Sequence, residues 1–393
     1  MNKIEKIQLA STDQCTGCSA CASICPTKSI TMREDKEGFL QPHIDTDTCI
    51  KCHKCEKTCP IISPISIPTD FETQAFAAIN KDDAVRMRSS SGGMFHALAK
   101  WTIEQGGAVF GARFNDQWEV VHDYTESIEG IEPFMRSKYV QSRIGDTFKQ
   151  AKQFLDQGRQ VLFVGTPCQI GGLKSYLKKD YENLLAVDII CHGASSPKVW
   201  RESLKDTLKG DTLLDFNFRD KQNGWKGFEC VITTSAATQR KDPFENPYFR
   251  GFLKDVYQRP SCYTCKFRGV HRIADVTLAD AWGIPNYCPE MDDNKGTSLL
   301  LLHTLKSTII IDKILAIKRK SLSLEDPILY NPSLIKNMDM PRRRSVFFRV
   351  FSICGFHCAQ IYIDKDAYYV RIIRKIKKIL NKFKSRLLWN RKE

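Results

Sequence analysis

Cys15-x2-Cys18-x2-Cys21-x3-Cys25-Pro26 is followed by Cys49-x2-Cys52-x2-Cys55-x3-Cys59-Pro60. These two runs decide how the chain begins to fold. Three thiolates two residues apart can wrap one face of a cubane, while backbone amides close around it. A fourth thiolate must come from elsewhere, and in this doubled spacing it comes from the other run. Cys15, Cys18, Cys21 and Cys59 are therefore expected on one [4Fe–4S] cluster. Cys49, Cys52, Cys55 and Cys25 are expected on a second. Pro26 and Pro60 turn the chain away after each fourth ligand. Zinc takes four ligands per ion, commonly as paired CxxC or Cys/His sets, and has no use for this repetition. His53, lying inside the second run, is read as solvated rather than as a ligand.

The spacing is that of bacterial ferredoxins written twice, so residues 1–60 form a dicluster ferredoxin module, with short strands over Ser29–Arg33 and Gly38–Ile44. Eight of the sixteen cysteines lie in it. Such clustering in a chain of 393 residues points to metal rather than disulfides, and to a reducing cytoplasm. The first residues, MNKIEKIQLASTDQC, carry no apolar signal-peptide core. No uninterrupted apolar run of spanning length is apparent; the nearest, Ser298–Ile317, is broken by His303, Lys306, Asp312 and Lys313. Net charge is +14, but Arg371–Glu393 holds ten Lys/Arg against one acid, leaving +5 for everything else. Basicity confined to a tail, without an aromatic platform or a recognised binding motif, argues against a nucleic-acid partner.

Residues 61–73 form a linker in which Pro60, Pro64 and Pro68 forbid regular helix or central strand. The body opens with a strand over Gln74–Ile79, then Ser89-Ser-Ser-Gly-Gly93, a helix over Met94–Glu104 and a strand over Ala108–Ala112. Strand, Ser/Gly loop and helix N-terminus make an anion-binding arrangement, although the same residues also serve as a plain helix cap. A helix over Asp146–Gln157 leads to a strand over Arg159–Val164, then Gly165-Thr166-Pro167-Cys168-Gln169 opening another helix. Leu184–Ile190 is a further apolar strand ending in Cys191-His192-Gly193. This reads as a βαβ unit with parallel strands, which places Cys168 and Cys191 at carboxyl ends, the edge where open α/β sheets bind ligands. Arg259-Pro-Ser-Cys262-Tyr-Thr-Cys265 follows a helical stretch over Pro247–Gln258 and precedes a strand near Ala274–Ala279. Cys168 and Cys191 alone could be inert buried thiols, and Cys262-x2-Cys265 alone a redox-active pair; counted together they make four thiols at loop edges, and a third cluster is the economical reading. Cys230 reads as packing, and Cys354-x3-Cys358, at helical spacing, as core. Asp280-Ala-Trp282-Gly283 ends the last of these strands, as a ligand contact or as a cap with a core indole.

Taken in order, Ser91-Gly92-Gly93, Ser137-Lys138-Tyr139-Val140-Gln141-Ser142, Gly165-Thr166-Pro167-Cys168-Gln169, Cys191-His192-Gly193, Cys262-x2-Cys265 and Asp280-Ala-Trp282-Gly283 resemble the coenzyme F420 hydrogenase/dehydrogenase beta-subunit family. The resemblance runs from about Gln74 to Asn331. It implies FAD in the body with a [4Fe–4S] cluster beside it, and hydride exchange with coenzyme F420 or another hydride carrier. It also implies that Ser91, Gly92 and Gly93 lie on the FAD phosphates and that Ser137, Lys138 and Tyr139 line the flavin. Relatives found among polysaccharide genes leave the carrier open, and no catalytic residue is assigned.

The fold expected is a multidomain α/β and α+β chain, a dicluster ferredoxin followed by a mixed α/β flavin-binding body. Its parts are 1–60, the linker 61–73, the flavin domain's 74–160 and 161–331, and an extension over 332–393. The function expected is an FAD- and iron–sulfur-dependent oxidoreductase that converts between hydride and single electrons. Its partner is a redox protein or a hydride-carrying small molecule. The alternative is a non-catalytic electron-transfer subunit of a larger complex. Tyr369–Leu388 sets Tyr369, Ile372, Ile373, Ile376, Ile379, Leu380, Phe383 and Leu387 at steps of three or four among Lys and Arg. That is an amphipathic cationic helix, suited to peripheral contact with an anionic membrane from the cytoplasmic side.

Overall fold

The computed structural model describes residues 7–67 and 70–364. Its N-terminal module pairs β1 (Ile30–Glu34) with β2 (Leu40–Ile44) antiparallel, with short helices at Ala20–Ile24 and Lys54–Thr58. Asp35 makes the turn between these strands: its Oδ1 accepts from the Glu37 amide at 2.9 Å and the Phe39 amide at 3.0 Å. Gly38 sits there at φ +88°. The turn drives Phe39, fully buried, out of the small module and into an aromatic cluster of the body.

The body is built on β3 (Gln74–Asn80), β4 (Ala108–Phe114), β5 (Val120–Thr125), β6 (Val161–Gly165) and β7 (Leu184–Ile189), then β8 (Leu213–Asp220), β9 (Glu229–Thr234), β10 (Thr238–Lys241), β11 (Val276–Asp280), β12 (Ser298–Leu302) and β13 (Ile317–Leu322). Eight of these form one sheet in the order β13-β3-β12-β11-β7-β6-β4-β5. Its centre, β11-β7-β6-β4, is parallel and its flanks are antiparallel. The apolar runs of β6 and β7 follow from helical cover on both faces. Val109, Leu162 and Leu185 pack on the side that holds the Met94–Glu104 helix. Phe110, Phe163 and Ala186 face the Thr147–Asp156 and Pro167–Leu177 helices. The βαβ unit read from sequence is present, with β6 and β7 as parallel neighbours.

A second sheet, β10-β9-β8, was not foreseen in the sequence; it builds with the Pro197–Leu208 and Pro247–Leu253 helices an aromatic core around Trp200, Phe218, Phe249 and Phe252. Cys230 is buried in β9, as packing requires. The helix expected over Pro247–Gln258 stops at Leu253. The Val256 amide returns to the Gly251 carbonyl at 3.1 Å with Asp255 at φ +58°, the left-handed closure that ends helices. The chain then runs irregularly through Tyr257 and Gln258 into the interior.

The Arg343–Asp364 helix is long and apolar enough to cross a membrane by length and composition, with a mean hydropathy of 1.5 over an 18-residue window. This corrects the expectation that no segment reaches spanning length, because one Arg349 within the window does not outweigh its aromatic residues. Phe347, Phe348, Phe351 and Phe356 of this helix are buried in the same core as Phe39, with Phe348 edge-on to Phe39 at 6.5 Å. Arg344 forks onto Glu37 at 3.1 and 2.5 Å. Part of the helix face is thereby committed to the protein. The tail helix expected over Tyr369–Leu388 lies outside the described residues.

Candidate functional site

The two thiol groups of the N-terminal module assemble as the crossed pairing requires. Cys15, Cys18, Cys21 and Cys59 line one cavity. Cys25, Cys49, Cys52 and Cys55 line another. Ser19 and His53, at φ +64° and +56°, begin the short helices that bend each run around its cavity. Burial pushes the Cys18 thiol up to about 11, and Cys21 rises for the same reason, with the neighbouring sulfurs adding to it. Such thiols become good ligands only when a metal ion replaces the proton. His53 hydrogen-bonds Glu56 at 2.6 Å.

Four further thiols meet at the carboxyl edge of the large sheet. Cys168 opens the Pro167–Leu177 helix after β6, Cys191 follows β7, and Cys262 and Cys265 come from the loop ahead of β11. Burial pushes the Cys191 thiol up to about 12, with Cys262 and Cys265 reinforcing the rise. Cys168 rises well above the ordinary thiol value, again through burial first and then the charges of Cys191, Cys265 and Cys262. Among the described residues no three Cys, His, Asp or Glu side chains close tightly enough to chelate one ion. The same is true of the eight cysteines of the N-terminal module. A cubane separates its thiolates more widely, since each binds a different iron atom. Amides already point at these sulfurs: Ala194 N–H donates to Cys262 at 3.3 Å and Phe267 N–H to Cys265 at 3.5 Å. The residues therefore fit a cluster better than a single ion.

A polar chain braces Cys168 from behind. His122 Nε2 donates to the Val164 carbonyl at 3.1 Å, and its Nδ1 faces the Ser142 hydroxyl at 2.9 Å. Gln169 Nε2 donates to Ser142 Oγ at 2.9 Å, and its Oε1 accepts from the Thr166 amide at 2.9 Å. Thr166 Oγ1 lies 3.2 Å from Cys168 Sγ. These partners fix His122 as the neutral Nε2–H tautomer. Burial lowers its pKa to about 4.

The N-terminal module rests directly against this centre. A Cβ on Gly172 would meet Cys18 Cβ at 2.9 Å and Sγ at 3.0 Å, and one on Gly171 would meet Phe267 at 2.7 Å. The glycine pair thus lets one helix touch both thiol groups. Arg259, only 1% exposed, donates to the Cys15 carbonyl at 2.6 Å, the Leu40 carbonyl at 2.9 Å and Gln141 Oε1 at 3.1 Å. Gln141 Nε2 donates onward to the Thr16 carbonyl at 2.9 Å.

The six residues expected at FAD spend most of their polar atoms on the protein. Ser91 Oγ donates to the Thr297 carbonyl at 2.9 Å. The Gly92 amide donates to Ser298 Oγ at 2.9 Å, and a Cβ there would lie 2.5 Å from the Ala78 carbonyl oxygen. Gly92 is thus required by the sheet it packs on, and Gly93, at φ +82°, by the start of the helix. Ser137 bonds Ser90 through both its amide and its hydroxyl, at 2.8 and 3.0 Å. Lys138 Nζ donates to the carbonyls of Pro133 and Met135 at 2.8 and 2.6 Å, while lost hydration pushes its pKa down to about 7. The Tyr139 ring sits among Phe218, Phe249 and Phe252.

Poorly satisfied donors belong to Arg219, which the sequence did not mark. Its Nη1 donates to Asp280 at 2.5 Å, its plane lies 5.2 Å from the Trp282 ring, and the Tyr139 hydroxyl is its neighbour, while Nε and Nη2 are buried without a hydrogen bond of good geometry. Trp225 stacks on Trp282 at 4.8 Å and donates to Asp280 at 3.1 Å. Asp280 and Trp282 therefore organise a cation rather than merely capping a strand. A buried guanidinium with poorly satisfied N–H groups, next to a stacked indole pair, suits a planar ligand rich in oxygen and nitrogen acceptors. Of the remaining thiols Cys288 is buried, but Cys354 is exposed, donating to the Val350 carbonyl at 3.4 Å, and not in the core. Arg259 and Arg219 escaped sequence reading because each answers to partners far away in the chain; the only local sign was an arginine three residues ahead of the CxxC pair.

Residues 14–61 match the 4Fe–4S dicluster domain, a span containing all eight N-terminal cysteines. Residues 158–328 match the family described as the C terminus of the coenzyme F420 hydrogenase/dehydrogenase beta subunit, a span containing Cys168, Cys191, Cys262 and Cys265. A chain of the F420-reducing [NiFe] hydrogenase complex from Methanosarcina barkeri is similar over 68% of this chain and 93% of its own, at 15% identity and a TM-score of 0.45. No curated protein matches.

Proposed function

We propose that the chain, whose residues 14–61 match the 4Fe–4S dicluster domain and whose residues 158–328 match the C terminus of the coenzyme F420 hydrogenase/dehydrogenase beta subunit, is an iron–sulfur oxidoreductase that holds three clusters and FAD and converts between hydride and single electrons. The observation that carries this is the meeting of Cys168 with Cys191, Cys262 and Cys265, together with the close approach of Gly172, on the helix that Cys168 opens, to Cys18. Cys15, Cys18, Cys21 and Cys59 would hold the nearer cluster of the dicluster domain, and Cys25, Cys49, Cys52 and Cys55 the outer one, with Cys52 exposed. When bound, FAD supplies the two-electron chemistry that clusters lack. In the proposed arrangement Arg219, beside the Tyr139 hydroxyl, presents its guanidinium to it, Asp280 holds Arg219 in place, and the Trp225–Trp282 pair walls the site. Ser91, Gly92, Gly93, Ser137, Lys138 and Tyr139 then act as the scaffold that shapes it. The carrier of the hydride is F420 or another small molecule of that class, and the one-electron partner is a redox protein or a companion subunit.

Anaerobically reconstituted protein should carry about twelve iron atoms, four per cubane, with one FAD. Replacing Cys262 and Cys265 together by Ser should leave about eight, with the dicluster signals intact. About eight iron atoms in the unmutated protein would sink the third cluster, and zinc there would mark a structural site. One observation favours a relay without flavin: the polar groups of the Ser–Gly loop are already bonded within the protein. Protein that holds all its iron but no flavin, and that passes electrons only between one-electron carriers, would establish that reading instead.

A further inference from the structure

Arg259 occupies the seam between the dicluster domain and the thiols of the body, and every contact it makes is to a neutral group. Its three nitrogens go to the carbonyls of Cys15 and Leu40 and to the side-chain oxygen of Gln141. Its plane lies 5.5 Å from the Phe39 ring. Its backbone amide donates to the Ala194 carbonyl at 2.8 Å, and its own carbonyl accepts from the Cys262 amide at 2.9 Å. No carboxylate bonds to it among the described residues. The neighbouring arginines of the seam, Arg201 and Arg344, pair with Glu34 and Glu37 instead. A guanidinium removed from water without a counter-charge is costly, whereas a paired or charge-compensated one is not. The negative charge that compensates it must lie within reach of its contacts, and those contacts are the carbonyl of Cys15 on one side and the Cys262 turn on the other.

We propose that Arg259 is a positioning residue of the electron route, its buried charge setting the reduction potentials of the two clusters it separates while its fork holds their loops at fixed spacing. The proposal rests on the three-cluster reading above. The step it governs moves one electron from the centre on one side of the seam to the centre on the other; one is oxidised by one electron, the other reduced by one, and no bond or proton changes. A positive charge fixed between the two makes each easier to reduce, in the way that hydrogen bonds and net charge set cluster potentials generally. Gln141, bonded to both Arg259 and Thr16, orients the guanidinium.

The test is an anaerobic redox titration, followed by electron paramagnetic resonance, of the full chain and three variants, each first assayed for iron. Arg259→Gln removes the charge and should make the affected clusters at least tenfold harder to reduce, a fall of about 59 mV for a one-electron couple. Arg259→Lys keeps the charge but loses the fork. It should leave the potentials near those of the unmutated protein while weakening the magnetic interaction between neighbouring clusters. Gln141→Glu, which leaves Arg259 in place and gives it a carboxylate, should lower the same potentials, and it carries the test if Arg259→Gln fails to retain iron. Unshifted potentials in iron-complete Arg259→Gln and Gln141→Glu proteins overturn the proposal, as does an equal shift in Arg259→Lys and Arg259→Gln, which would mark a purely structural role. An unmutated protein with about eight iron atoms fails the three-cluster reading instead, so the two failures are told apart.

Discussion

A single imidazole illustrates what residue-scale chemistry adds to a motif. Ser142 and Gln169 stand out in the sequence only as members of short motifs, and His122 not at all, yet the three form the brace behind Cys168. His122 is 6% exposed and must stay neutral to accept from Ser142. Burial lowers its pKa from 6.5 to about 4. The unfolded chain takes up a proton on this ring near pH 6.5 and the folded chain refuses it until about pH 4. Its contribution to stability is therefore intact above the unfolded value and shrinks as pH falls toward the folded one, by up to about 3 kcal/mol in all. Thermal melts across this window should show the unmutated protein weakening steeply and His122→Gln weakening less. His303, lowered by burial to about 3, keeps some slope in both. Identical slopes would show that His122 carries no such linkage. The cysteine ligands were legible because their meaning is local spacing. His122, Arg219 and Arg259 were not, because a buried cation or imidazole is defined by hydroxyls, carboxylates and carbonyls that the fold brings from 20 to 244 positions away.

At the scale of elements, the sequence marked out the helices and strands whose pattern is self-contained. Met94–Glu104 is a helix end to end, and the apolar runs before Cys168 and Cys191 are the parallel strands expected. It failed where an element depends on its neighbours. The Pro247 helix ends early in a left-handed closure that aims Arg259 inward. The β8–β10 sheet is held by a core assembled from the Pro197–Leu208, Pro247–Leu253 and Arg343–Asp364 helices. The Pro167–Leu177 helix shows the same dependence in its glycines. On propensity alone, Gly172→Ala should stabilise an interior helical position by about 0.5–1 kcal/mol. Packing reverses the sign here, since the added methyl meets Cys18 at 2.9–3.0 Å and overpacking costs about 1–3 kcal/mol. Gly172→Ala should therefore loosen the dicluster domain from the body. Proteolysis within residues 61–73 should accelerate and alkylation of Cys18 in the iron-free protein should speed up, while the body's melting changes little. Unchanged cleavage and alkylation rates would mean that the interface yields without cost.

For the whole molecule the uneven charge matters most. Ten basic residues and one acid in Arg371–Glu393 follow in sequence a helix that is only part buried. Ile353 at 79% and Tyr362 at 53% exposure leave apolar side chains on its outer side, and the core aromatics hold its other side against the dicluster domain. A helix tied down in this way cannot leave the protein to span a bilayer without giving up Phe347, Phe348 and Phe351. Lying along a surface asks for no such loss, and Lys/Arg-rich helices with apolar opposite faces bind anionic interfaces in that way. Each basic residue close to such a surface contributes about 1 kcal/mol, so half of the tail's would give reversible docking. The full chain is expected to sediment with anionic liposomes at low salt and to release at high salt, because exposed charges are screened over a few ångströms there. A chain lacking Arg371–Glu393 should stay in the supernatant with its iron and flavin content unchanged. Sedimentation that survives both high salt and the truncation would assign the attachment to the apolar face of the Arg343–Asp364 helix. Full-length protein that ignores anionic liposomes at low salt would give the tail to a protein partner, in keeping with a subunit that works inside a larger redox assembly.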